Sequence, residues 1–155
     1  MKVILPGFCL LIGIWACDPP IDSKLKLVNT SDQPVLITYN AEGTNHTING
    51  LSGEYNPFHD IKQADTTRGY QIGLLKDDPN YILPGDTIAA YLGPGKWESH
   101  IGTGKLWVYV FKPETVLSND WDGIRMGQRW AKVYSLTLDQ VKAKNWVISL
   151  WRPVV

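Results

Sequence analysis

KLWVYVF, residues Lys105–Phe111, carries aromatic side chains at 107, 109 and 111 and aliphatic ones at 106, 108 and 110. Successive side chains of an extended strand point to opposite faces, so this run is apolar on both. Water penalises a strand of that kind unless something covers each side, and the stretch therefore predicts a central strand buried between two layers.

Shorter runs of the same character lie on either side of it. Leu25–Val28 and Val35–Tyr39 read as two strands, joined by Asn29–Pro34, whose Asn, Ser and Asp side chains bond back to the main chain and whose proline fixes φ. Further strands are expected at Tyr70–Leu75, Tyr81–Leu83, Thr87–Leu92, Arg129–Tyr134 and Trp146–Trp151. Pro84-Gly85 is a strong turn signal, and Gly93-Pro94-Gly95 breaks the chain before Lys96-Trp97-Glu98. Asn40–Gly69 is mostly polar, with only Ile48-Asn49-Gly50-Leu51 suggesting regular structure, and Pro113–Gln128 reads as loop. Thr137 followed three residues later by Gln140 has the spacing of a capping box, which predicts a short helix ending near Asn145. The expected fold is mainly β: an antiparallel β-sandwich, Ig-like or similar, with one short late helix, or alternatively a partly closed β-barrel.

Composition agrees with this. A chain of 155 residues suits one domain, and 14 glycines with 10 prolines favour strands and turns over helices. The formal net charge is zero, so no field draws in a polyanion, and nucleic acid is not an expected partner. Both cysteines, Cys9 and Cys17, fall in the first seventeen residues, which leaves the fold without a disulfide or a thiol nucleophile.

The amino terminus explains those cysteines. Met1-Lys2 supplies one positive charge, and Val3–Ala16 is an apolar run of signal-peptide length, too short to span a bilayer comfortably. It ends in Ile14-Trp15-Ala16-Cys17, which resembles the bacterial lipoprotein box: an aliphatic residue, two usually small residues, then cysteine. The resemblance implies that Cys17 becomes the first mature residue and carries acyl chains, each buried methylene contributing about 0.8 kcal/mol of membrane affinity. The expected division is a signal peptide at 1–16, a lipidated cysteine and short Pro-containing tether at 17–23, and a folded domain at 24–155. The expected location is a bacterial envelope, with the outer membrane favoured and the leaflet left open.

More of the chain supports that setting. Val28-Asn29-Thr30-Ser31-Asp32-Gln33-Pro34-Val35, then Trp97-Glu98, then Tyr134-Ser135-Leu136-Thr137-Leu138-Asp139-Gln140-Val141 and Asn145-Trp146-Val147-Ile148 are similar to a group of small lipoproteins from Bacteroidetes-type bacteria. The shared pattern is an N-x-S turn near the mature start and a Y-x-L-T…N-W-x-I ending. Gln140-Val141 stands where Asp-Leu is usual. The resemblance implies location and fold type; it implies no catalytic residue and no cofactor.

Candidate sites follow from chemistry. His46, His59 and His100 lack HxH or HExxH spacing, so they form no evident metal site. Ser99-His100 offers a nucleophile and a base for an envelope hydrolase, but neighbours on a strand point apart, and an acid would have to be supplied by folding. Asn119-Asp120-Trp121-Asp122-Gly123 has the alternating carboxylates of a calcium loop without its distal glutamate, and an Asx-rich turn is the simpler reading. Trp97, after the Gly-Pro-Gly turn, and Trp121, in the acidic turn, are the tryptophans expected on an exposed surface, where flat rings hold a protein or glycan ligand. In Bacteroidetes-type exported proteins, Asp65-Thr66-Thr67 and Asp86-Thr87-Ile88 match an O-glycosylation pattern, which makes Thr66 and Thr87 candidate glycan sites. The leading expectation is a membrane-tethered, non-enzymatic binding or structural module, with the hydrolase as the alternative.

Overall fold

The computed structural model describes residues 21–41, 47–48, 51–52, 56–58 and 75–151. Its strands, in chain order, are β1 (Lys26–Asn29), β2 (Val35–Ala41), β3 (Thr47–Ile48), β4 (Leu51–Ser52), β5 (Tyr81–Ile82), β6 (Thr87–Ala89), β7 (Lys105–Phe111), β8 (Lys132–Thr137) and β9 (Val147–Leu150). Between them lie the short helices α1 (Trp97–Ile101), α2 (Pro113–Ser118), α3 (Trp121–Met126) and α4 (Leu138–Ala143). One sheet has the order β5-β2-β7-β8 and a second the order β6-β1-β9, while β3 and β4 form a small ribbon. The two larger sheets do not close into a barrel, and the architecture is a β-sandwich.

The β7 strand lies inside the four-stranded sheet, between β2 and β8, as its two apolar faces require. Leu106, Val108 and Val110 pack with Val35 and Ile37 of β2, and with Leu25, Leu27, Ile148 and Leu150 of the facing sheet. Tyr109 and Phe111 point the other way, toward Val116, Trp121 and Ile124 of α2 and α3, with Trp107 at the margin of the same cluster. The rings are closely arranged: Tyr109 meets Trp130 edge-on at 5.2 Å, and Phe111 meets Phe58 edge-on at 5.4 Å. Water exclusion pushes the Tyr109 phenol up to about 12.

The structure adds two details to the expected sandwich. Pairing between the named strands is antiparallel except that β1 and β9 run parallel, in the register Lys26↔Val147 to Asn29↔Leu150. The first and last strands of the described fold are thus neighbours, which closes the three-stranded sheet by a contact distant in sequence. Helix is also more abundant than one late segment. Pro113–Gln128 holds α2, which Pro113 enters at its first turn, and α3, where the Asp120 carboxylate accepts from the Gly123 N–H. Helices of six residues are too short to display a 3.6-residue period. A Cβ at Gly123 would lie 2.8 Å from Asp120 Oδ1, so this glycine makes room for the cap instead of turning a calcium loop. Leu75, expected in a strand, is helical, and residues 70–74 lie outside the described residues.

The late helix follows its sequence signal. Thr137 accepts from the Gln140 N–H at 3.3 Å, and the Gln140 side chain accepts from the Thr137 N–H at 2.9 Å, which is the reciprocal capping box. The Pro84-Gly85 turn also forms, with the Asp86 N–H donating to the Leu83 carbonyl at 3.1 Å and Gly85 at φ +82°.

Asn29 ties these pieces together. It is fully buried, and its amide donates to the carbonyls of Ile82 (2.9 Å) and Gln33 (2.8 Å). Its side-chain oxygen accepts from the Ser31 N–H (3.0 Å) and hydroxyl (2.7 Å), which explains the N-x-S spacing. The Gly85 N–H donates to its backbone carbonyl at 2.9 Å. One side chain therefore joins the end of β1, the turn into β2 and the end of β5.

Replacing Asn29 by Ala strands these buried groups, and we expect a loss of about 2–3 kcal/mol in urea unfolding. Thr137→Ala removes a solvent-facing cap and is expected to cost about 1 kcal/mol. If the Asn29 variant proved no less stable than the Thr137 variant, Asn29 would not be the fastening described.

Candidate functional site

Strand register divides the sandwich into two ends. At the first, the Ala90 N–H donates to the Leu25 carbonyl (2.9 Å), Ile21 pairs with Gly95, and the Lys26 N–H donates to the Trp146 carbonyl (2.8 Å). The segment 21–25, the loop 90–96, α1 and Trp146 therefore lie together. At the second, the Thr30 N–H donates to the Leu150 carbonyl (3.1 Å), the Asn29 N–H donates to the Asp86 carbonyl (3.0 Å), and Leu36 pairs with Phe111. Here the β1–β2 turn, the Leu83–Asp86 turn, Trp151 and the β7–α2 junction come together.

The first end is a clamp on the amino-terminal segment. Trp97 donates twice to Asp22, from its indole to the backbone carbonyl (3.0 Å) and from its own backbone N–H to the carboxylate (3.1 Å). The Lys24 ammonium meets Asp22 at 3.1 Å and Glu98 at 2.5 Å, and lies 4.1 Å from the centre of the Trp146 ring. Ile21 and Asp22, expected in the short tether, are thus bonded to residues of the sandwich. Partial burial works against the charge of Asp22, but the Trp97 N–H and Lys24 outweigh it and hold the carboxyl below its ordinary value. Lys24 likewise loses hydration, yet Glu98 and Asp22 raise it above the usual lysine range. The Lys24 hydrogen bond is the main reason that Glu98 is lowered.

The second end carries an open groove of about 430 Å³, lined by the 31–35 turn, by Lys112, Pro113 and Glu114, and by Trp151. Its size is that of a small-ligand site. Lys112, Asp32 and Glu114 are exposed at its rim, and Trp151 is half-buried. Trp151 has φ +59°, a left-handed conformation that bulky residues rarely adopt, and its N–H is held by the Tyr134 hydroxyl at 2.7 Å. Backbone strain of this kind concentrates where a side chain must be aimed. A second groove, of about 450 Å³, runs along the flank between β8 and β9 and is bordered by Lys132, Tyr134, Lys144, Val147, Ile148 and Ser149.

The residues singled out in the sequence fall mostly elsewhere. Trp97 is 1 % exposed and Trp121 8 %, so neither presents a ring to solvent, and the expected ligand surface on them is corrected. Both are buried for the same reason: a short helix begins at each, and its first residue turns inward. Ser99 and His100 lie on α1, not on a strand; Ser99 is exposed, while His100 packs edge-on against Trp97 with a buried Nε2 that has no hydrogen-bond partner among the described residues. Neither lines either groove. Thr87 is exposed on the edge strand β6. Asp122 pairs with Arg125 at 3.2 Å, so the acidic turn is internally bonded. Among the described residues no group of three or more His, Cys, Asp or Glu is placed to hold a metal ion. Cys17, Thr66, His46 and His59 lie outside the described residues.

Trp151 and the clamp were not legible in advance. Trp151 ends an apolar run expected as a strand, and Asp22 falls in the stretch expected as tether, so neither position announces a role. Compared with known protein families, with curated proteins and with solved structures, the chain matches none.

The clamp gives stability a two-sided pH dependence. Asp22 and Glu98 are lowered in the folded state, so their contribution is present above the ordinary carboxylate range and is lost as pH falls through their folded values. Lys24 is raised, so its contribution is present below the ordinary lysine value of 10.5 and is lost as pH rises through its folded value. Thermal unfolding across pH should show both limbs, and Lys24→Met should flatten both. An unchanged profile in that variant would mean that the ion pairs contribute nothing.

Proposed function

We propose that this chain is a lipoprotein of a bacterial envelope, anchored through acylated Cys17, whose β-sandwich serves as a binding module through the groove beside Trp151. The observation that carries this reading is polarity: the segment leading to Cys17 enters the fold at the clamp end, and the groove opens at the opposite end. The long strands β2 and β7, of seven residues each, separate the two ends by about 20 Å at ~3.3 Å per residue. A domain held at one end and open at the other is suited to present a site away from a lipid surface. The lipoprotein-type box at Ile14–Cys17 and the resemblance to small Bacteroidetes-type lipoproteins support the same setting. The groove's mixture of one half-buried indole with Lys112, Asp32, Gln33 and Glu114 suits a polar ligand of low net charge, such as a glycan or a peptide segment of a protein partner. Nothing in the placement of Ser99 and His100 favours a hydrolase.

The deciding measurement is the intact mass of the protein extracted from its own envelope. We expect the mass of Cys17–Val155 plus acyl groups, with any additional sugar mass directing attention to Thr66 and to the exposed Thr87. Cys17→Ser should release the protein from the membrane fraction. A lipid-free mass beginning at Met1, or after Cys17, would remove the anchor from this reading.

A further inference from the structure

We infer that the clamp end is a lipid-facing surface, with the Ile21 side chain and the Tyr91–Lys96 loop resting on the bilayer that holds Cys17. This rests on the lipid-anchor reading above and adds an orientation to it. Only four residue steps separate Cys17 from Ile21, and fully extended chain covers at most about 14 Å over that length. The end of the sandwich that carries Ile21 is therefore confined close to the membrane.

What that end presents fits a bilayer interface. Ile21 is 63 % exposed and Tyr91 46 %, although both are large apolar residues on a domain with ample core to bury them. Tyrosine is favoured at the headgroup level, where its ring meets the acyl boundary and its hydroxyl stays wet. The loop Tyr91-Leu92-Gly93-Pro94-Gly95-Lys96 contains no acidic residue, and its exposed Lys96 suits anionic headgroups. Glu98, two residues beyond the loop, and Asp22, which is brought beside it by the Trp97 N–H, are both occupied by Lys24, which reduces their repulsion of those headgroups.

The surface is also braced in advance. The Tyr91 N–H donates to the Tyr39 hydroxyl at 2.9 Å, and the Tyr39 ring packs against Trp97 with centroids 6.3 Å apart. Ile21 is fixed by its pairing with Gly95 and by the adjacent clamp on Asp22. Little ordering is left for contact with lipid, and tethering makes the contact intramolecular, so a weak interaction suffices to set orientation.

The test exploits a matched pair. Leu83 is 48 % exposed, close to Tyr91, but lies in the turn beside Asn29 at the opposite end. Apart from Cys17, the chain has no cysteine after residue 9, and acylation blocks Cys17. Tyr91→Cys, Ile21→Cys and Leu83→Cys forms of the full lipoprotein would each be labelled with an environment-sensitive fluorophore. They would then be placed in phosphatidylethanolamine–phosphatidylglycerol vesicles containing spin-labelled lipid. We expect quenching several-fold stronger at 91 and 21 than at 83. Equal quenching at all three positions, or stronger quenching at 83, in protein whose mass includes the acyl groups, overturns the lipid-facing surface and leaves the anchor standing. A mass without acyl groups removes the anchor, and the surface with it.

Discussion

Burial of β7 on both faces is the constraint from which the rest of the architecture follows. A six-residue run without a polar side anywhere from Leu106 to Phe111 has to be covered twice. Its aliphatic face is covered by the β6-β1-β9 sheet and its aromatic face by α2, α3 and the residues packed with them. Fully burying side chains of this size stabilises by roughly 1.5–3 kcal/mol each, far more than a surface ion pair contributes. The sandwich and the helical layer are thus two solutions to one problem, posed by alternate residues of the same strand.

Polar fastenings fix how the layers are joined at the ends. Asn29 bonds the turn region at one end, and the Asp22–Lys24–Glu98 group with Trp97 and Trp146 closes the other. Seen in this light, the short patterns that resemble the small lipoproteins have structural work. Asn29 and Ser31 bond to each other, Thr137 caps α4, and the Tyr134 hydroxyl holds the Trp151 N–H. Asn145 and Trp146 turn the chain through left-handed conformations (φ +51° and +61°) into β9. These residues position backbone.

The two ends differ in what they offer. The clamp end is ion-paired and receives the segment that follows Cys17, whereas the other end carries a groove and an indole whose backbone is held in a conformation it would not choose alone. Strain at Trp151 is supported by Tyr134 from the neighbouring sheet, so the indole's position is a product of the whole sandwich. Were the domain tethered through Cys17 as proposed, that asymmetry would give it an inside and an outside relative to the membrane, which is the physical content of the binding-module proposal.

The sequence alone determined what depends on near neighbours in the chain. Alternation marked β7, the Thr137–Gln140 spacing marked α4, Pro84-Gly85 marked its turn, and the mainly β class followed from their sum. Tertiary structure decided what depends on residues far apart. The parallel pairing of β1 with β9 joins segments more than a hundred residues distant, and no local pattern encodes a partner. Trp97 and Trp121 stand in turn-like, polar surroundings that suggested exposure, yet each begins a helix too short to announce itself and packs inward. Asp22 looked like tether because its partners are Trp97, some seventy-five residues on, and a lysine that is itself bound to Glu98. Local propensity reports the cost of a backbone shape, while burial and pairing energies belong to contacts that exist only once the chain has folded.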